Sequence, residues 1–158
     1  MRTAFARLVL LGTLVLPRAW AEETPAPPPP PLDPAYAQVT VDKASTSIYI
    51  GKVTLTMPEF ARHGATYSTT YAAKVFPFFF QNEKGSLEIN LTDDQLAQLA
   101  AGQRVYFTGD ATNTDGEPRK VEGHADPTDA LSGHIKVRVF VTETIQLIFN
   151  TTYRFSGA

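Results

Sequence analysis

The chain predicts an all-β domain with one short helix, arranged as an antiparallel β-sandwich or a small closed barrel. Three observations lead there. Residues 35–158 hold sixteen Thr, nine Phe and six Tyr, and β-branched and aromatic side chains suit a pleated, half-buried surface. Apolar residues recur at every second position through most of that length, which is the period of a strand with one buried face. No alternation of strand and helix patterns appears, which argues against a parallel α/β sheet. Sandwich and barrel differ in strand pairing, which periodicity does not carry.

The N-terminus reads as an address. Arg2 and Arg7 precede the apolar run Leu8–Leu16, Pro17 breaks it, and Ala19-Trp20-Ala21 supplies small residues for cleavage. These are the parts of a secretory signal peptide over 1–21, which predicts a periplasmic or secreted protein. The run is too short to span a membrane, which takes about 20 apolar residues. Residues 22–34 carry seven of the twelve prolines and predict a stiff, extended spacer. The alternative to a spacer is a ligand for a proline-recognising partner or a cell-wall-spanning arm. The β domain occupies 35–158.

Charge and cysteine content exclude several classes. The net charge of -2 becomes -5 once Arg2, Arg7 and Arg18 are removed with the leader. Nucleic acid and anionic lipid both need clustered cations, so neither is an expected partner. The chain has no Cys, so disulfides, thiolate metal sites and cysteine nucleophiles are ruled out.

About seven or eight strands follow in order. In TSIYIGKVTLT, Ile48 and Ile50 fall on one face, with Tyr49, Val53 and Leu55 on the other. Tyr67, Tyr71 and Val75 continue the pattern, and Pro77 marks an edge, bend or bulge. Leu87, Ile89 and Leu91 then alternate with polar residues. Thr92-Asp93-Asp94-Gln95 matches a capping box and starts a short helix, with Leu96 and Leu99 on its apolar side and Gly102 as its stop. That helix is expected to cover one open end of the sheets. Val105 and Phe107 begin the next strand, and Asp115-Gly116 marks a tight turn. Ile135, Val137, Val139 and Val141 form one ladder, and Ile145, Leu147, Phe149, Tyr153 and Phe155 form another. Their link, Thr142-Glu143-Thr144, reads either as a turn or as a bulge.

Chemistry is sparse. His124 and Asp126 share a face if they lie on a strand, and His134 follows ten residues later, which admits a hydrolase or metal site as one alternative. No third ligand has a characteristic spacing. Asn113–Gly116 partly echoes a calcium loop, but Ala111 stands at the first ligand position. Nucleophile elbows, phosphate loops and dinucleotide fingerprints are absent. A non-enzyme without a cofactor is expected.

The positive feature is aromatic. Phe76, Phe78, Phe79 and Phe80 lie within five positions, and alternation cannot bury all four on one face. They are the candidate binding residues, for a protein partner or an apolar ligand. The final ladder, Ile145 to Phe155 against Gln146, Asn150, Thr152 and Arg154, is similar to the closing strand of outer-membrane barrels. That resemblance implies a small membrane barrel as the other alternative, although Ser156-Gly157-Ala158 extends past the last Phe. The leading expectation is an exported, soluble β-sandwich that binds or scaffolds.

Overall fold

A computed structural model describes residues 33–157. The expected leader over 1–21 and all but the last two residues of the expected proline-rich spacer lie outside them. Ten strands and one helix follow in order: β1 (Gln38–Val41), β2 (Ala44–Ile48), β3 (Gly51–Thr56), β4 (Phe60–His63), β5 (Thr66–Phe76), β6 (Glu83–Asn90), α1 (Asp93–Ala100), β7 (Val105–Asn113), β8 (Pro118–Pro127), β9 (Ser132–Phe140) and β10 (Gln146–Ser156).

Eight of these strands close into an antiparallel barrel in the order β1-β4-β5-β6-β7-β8-β9-β10, with β1 returning to β10. The closing ladder runs from Gln38↔Ser156 to Val41↔Tyr153. It gives the last strand a partner on each side, so the sheet closes on itself and no second sheet is needed. Of the two architectures the sequence allowed, the protein is therefore a barrel, and the sandwich is set aside.

The β2–β3 hairpin extends this ring at one end. β4 pairs with the start of β5 at Ala61↔Ser68, and β3 pairs with its end at Lys52↔Phe76. β3 and β4 thus line up as one broken strand, interrupted at Met57-Pro58-Glu59, where Pro58 has no N–H to offer a ladder. Thr69 Oγ1 contacts the carbonyls of Pro58 and Glu59, each at 3.2 Å. β1 and β2 are broken in the same way at Asp42-Lys43. Asp42 N donates to Thr152 O at 3.0 Å, and Thr151 Oγ1 donates to Asp42 O at 2.9 Å. Beyond that point β2 is zipped to β3 but not to β10 among the described residues. The wall therefore has one unlaced seam.

Alternation decides which side chains face inward. Tyr67, Tyr71 and Val75 of β5, Leu87 of β6, Val105 and Phe107 of β7, Val121 and Ala125 of β8, and Phe149, Tyr153 and Phe155 of β10 are all buried. The intervening residues face out: Lys74, Glu88, Asp110, Lys120, Lys136, Arg138 and Arg154 are exposed. The β10 ladder is thus apolar-in and polar-out, the reverse of the membrane-barrel alternative. A Lys or Arg on a lipid-facing wall costs about 2–4 kcal/mol at the bilayer midplane, and this wall carries several.

The helix forms as its sequence predicts. Thr92 Oγ1 accepts from Gln95 N at 3.3 Å and Gln95 Oε1 accepts from Thr92 N at 2.9 Å. Asp93 and Asp94 occupy the first turn, where the helix dipole favours negative charge. Leu96 and Leu99 are buried, so α1 closes one end of the barrel. A 3₁₀ turn at Pro34–Tyr36 closes it from another side, capped by the Asp33 carboxylate. The spacer therefore gives its last residues to the folded body. Tyr36 donates to Ala130 O at 3.0 Å, and its ring stands edge-on to Phe155 at 5.0 Å.

Three local readings are refined. TSIYIGKVTLT is a hairpin, not one strand: Ile48 pairs with Gly51 across the tip Tyr49-Ile50. Ile48 therefore joins Val53 and Leu55 inside, and Tyr49 and Ile50 project from the tip. A side chain on Gly51 would run into Phe76 O, so glycine permits the turn to close against β5. The Thr142–Thr144 link is a turn, because Thr142 Oγ1 accepts from Ile145 N at 3.0 Å in the manner of an aspartate. Gly116 has a φ of 82°, the left-handed conformation expected of Asp115-Gly116.

Candidate functional site

The barrel interior is hollow over much of its length: the cavity lining runs from Leu91, Leu99 and Tyr67 near α1 to Ile48, Val141 and Ile145 at the other end. Near α1, the rings of Tyr36, Tyr67 and Tyr153 surround Phe155 at centroid distances of 5.0 to 6.0 Å. Toward the far end the inward residues become small and aliphatic, among them Ala44, Val53, Ala73, Ala111, Val137 and Val139. The space they leave is a cavity of about 670 Å³. That volume lies within the range of sites for drug-sized molecules.

Four connections frame the mouth of this cavity. They are the Tyr49-Ile50 tip, the β5–β6 link, the β7–β8 turn and the β9–β10 turn, and residues of all four line it. Three of them present bare apolar side chains. Tyr49 is fully exposed, Phe80 is 82% exposed, and Ile50, Phe76, Phe79 and Ile145 are each more than half exposed. Of the four phenylalanines singled out from the sequence, Phe78 alone packs against the core. Its ring meets Phe80 edge-on at 5.8 Å, and Phe76 meets Phe79 at 5.7 Å. The strand stops at Phe76 because Pro77 follows, and a 3₁₀ turn over Phe79–Gln81 carries the chain into β6. Asn82 Oδ1 ties this link back by accepting from Val75 N at 2.8 Å. Gln81 and Asn82 of this link line the cavity, and Phe76, Phe78, Phe79 and Phe80 lie beside its mouth without lining it.

Comparison with family models, curated proteins and solved structures returned no match.

One part of the cavity wall is polar, and sequence reading missed it. Glu83, Asn113 and Arg119 occupy inward positions at the mouth ends of β6, β7 and β8. Arg119 Nη2 donates to Glu83 Oε2 at 3.1 Å and to Glu117 Oε2 at 2.7 Å. Asn113 Nδ2 donates to the same two carboxylates at 3.3 and 3.1 Å. Tyr71 adds its hydroxyl to Glu83 Oε1. Asn113 Oδ1 accepts from Asp115 N and Glu117 N at 3.0 and 2.8 Å, which shapes the turn below. The Arg119 hydrogen bond, followed by that of Asn113, holds the Glu117 carboxyl below the usual carboxylate range. Burial, then the bond to Glu83, pushes the Tyr71 phenol well above its ordinary value. The detectable signal was phase: each of these residues sits in register with apolar neighbours, Glu83 with Leu87, Asn113 with Ala111, and Arg119 with Val121.

The His124, Asp126 and His134 alternative falls on the outer wall. Asp126 lies opposite His134 in the β8–β9 ladder, and His124 Nε2 is 3.6 Å from Asp126 Oδ2. The Arg104 guanidinium already binds Asp126 and lowers its pKa, and the Tyr106 ring packs beside His124 at 5.6 Å. Among the described residues no group of three or more His, Asp or Glu is placed to hold a metal.

Burial of the barrel tyrosines sets an alkaline limit. Desolvation pushes Tyr67 and Tyr153 up to about 12 from the ordinary value of 10.0. A raised pKa means the fold prefers the neutral phenol, whereas the unfolded chain ionises at the ordinary value. This contribution to stability is therefore complete below pH 10 and lost as pH climbs toward 12. In an alkaline titration, tyrosinate absorbance from these two should appear late and together with unfolding. Ionisation of all six tyrosines at the ordinary value with the fold intact would contradict it.

Proposed function

We propose that this is an exported binding module that carries an apolar small molecule inside its barrel, with the Phe76–Phe80 lip guiding entry. The observation that carries the reading is the aliphatic cavity of about 670 Å³, lined by residues of the mouth connections. Ligand sites are usually concave, mostly apolar and preformed. Exposed apolar side chains clustered at such a mouth mark a contact surface rather than ordinary scatter. The leader-like residues 1–21 support export, and a carrier outside the cytoplasm needs no catalytic group.

The test is titration of the purified protein with an environment-sensitive apolar dye. Saturable binding with one site per chain is expected, together with a blue-shifted emission. Replacing Phe79 and Phe80 with Ser should slow association and weaken the dye several-fold. Stability should stay within about 0.5 kcal/mol, since both rings are exposed. Emission that rises without saturation, or equally for the thermally unfolded chain, would refute the reading.

A further inference from the structure

We propose that one arc of the rim docks on a bilayer surface carrying anionic lipids, its apolar tips entering the headgroup layer and three lysines reaching the phosphates. The proposal concerns the outside of the rim and stands whether or not the cavity takes a ligand. The arc is formed by the β2–β3 tip and the β5–β6 link. Tyr49, Ile50, Phe76, Phe79 and Phe80 project there, each at least 61% exposed. The two connections adjoin, because Lys52 pairs with Phe76 and a Cβ on Gly51 would meet Phe76 O. Exposed apolar side chains gathered in this way mark an interface. They stand on two separate loops rather than on one flat face, which suits a fluid surface better than the shape-matched surface of a protein.

Charge selects the occupant. From Ala44 to Asn82 the only acidic residue is Glu59. Its carboxylate is drawn away at the β3–β4 break, where it accepts from Ser156 Oγ at 3.1 Å. The outward charges beside the arc are Lys52 on β3, Lys74 on β5 and Lys84 on β6. All three are exposed, and none makes an ion pair among the described residues. Glu83, the next acid along the chain, faces inward and is paired with Arg119. Lys52 is level with Phe76, Lys74 stands two residues behind it, and Lys84 lies opposite Ala72. The three stems thus start between the level of Phe76 and about 13 Å behind it. Tips that sink about 5–10 Å into the headgroup boundary bring these flexible stems within reach of the phosphates. The net charge of the chain counts against anionic lipid, but it averages over an uneven distribution. The acids at this end, Asp115, Glu117 and Glu143, stand on the β7–β8 and β9–β10 turns, on the rest of the rim. An anionic surface therefore attracts one arc and repels the other, and the barrel docks leaning on its β3–β5 wall.

The experiment is co-sedimentation of residues 22–158 with vesicles. This chain contains the whole described barrel and omits the apolar run Leu8–Leu16, which would bind lipid by itself. The vesicles are phosphatidylcholine, alone or with about 30% phosphatidylglycerol. Binding to the anionic vesicles is expected to be at least about tenfold tighter than to the neutral ones, and to weaken with salt. Phe79→Ser combined with Phe80→Ser should lower it at least about tenfold. Reversal of the three lysines (Lys52→Glu, Lys74→Glu and Lys84→Glu) should erase the preference for anionic vesicles. Lys136→Glu with Arg138→Glu, on the outer wall of β9, should stay within about threefold of the unaltered protein. Equal binding to both vesicles, binding to neither, or equal loss in the two charge-reversed variants overturns the proposal. So does a concentration-dependent dimer that the two Ser substitutions abolish, since the patch would then serve a second copy. The vesicle comparison on the unaltered protein decides the matter if a variant fails to fold. None of these outcomes bears on the dye titration, which is made without vesicles and tests the cavity by itself.

Discussion

Replacement of Val137 by Trp is expected to abolish apolar-dye binding and leave the barrel folded. Val137 lies at mid-length on β9, between Gly123 of β8 and Phe149 of β10. Its side chain lines the cavity. An indole at this position projects into empty volume, so the overpacking cost of about 1–3 kcal/mol seen in full cores is an upper bound. The ligand has no comparable alternative space, and affinity should fall by about a hundredfold or more. The variant carries its own reporter. Trp20 is the chain's single Trp, so in a protein prepared from residue 22 onward the introduced indole emits alone and should report a dry environment. Ile148→Trp, on the outer face of the neighbouring strand, serves as the control and should bind dye normally. Undiminished binding by the Val137 variant would show that the dye sits elsewhere.

The largest stability effect should come from Arg62→Ala. Arg62 is on β4, yet its side chain is 4% exposed, because it turns inward beneath the helix. Nε donates to Gly64 O at 2.6 Å and Nη2 to Asp93 Oδ1 at 2.6 Å. The guanidinium also lies over the Tyr67 ring at 5.4 Å. One side chain thereby links a strand, a turn and the first turn of α1, and its stem fills space. Loss of the charged hydrogen bonds, the ring contact and the buried stem should cost about 3 kcal/mol, reduced somewhat because Nη1 is buried unpaired already. The urea midpoint should fall with an unchanged slope. Asp93→Asn should cost less, since Asp93 is more than half exposed. The double variant should be less than additive; strict additivity would show that the pair is not coupled.

These two sites differ in how far the sequence announced them. Val137 was placed correctly from alternation alone. The capping box at Thr92 and the turn at Gly116 were equally legible, because each is a local arrangement whose physics fits within four residues. Ring closure was not legible, because Val39 meets Phe155 across more than a hundred residues and periodicity says nothing about which edge finds which. The hairpin at Tyr49-Ile50 escaped for want of the usual turn residues. Its trace was a phase reversal: Ile48 and Val53 are both inward although an odd number of positions apart, which no single strand allows. Arg62, Glu83 and Arg119 were hidden by the habit of assigning charge to the surface. Their phase placed them inside, where charge is stable only when paired, and the pairings Arg62–Asp93 and Glu83–Arg119 join elements distant in sequence.

The unlaced edge between β2 and β10 makes the wall mechanically unequal. Elsewhere each strand is sewn to two neighbours, so parting any joint breaks a whole row of bonds. Along Ala44–Ile48 no backbone ladder ties β2 to β10 among the described residues, so side-chain contact alone spans that gap. Bending the β2–β3 hairpin outward would therefore break fewer backbone bonds than parting any other joint of the ring.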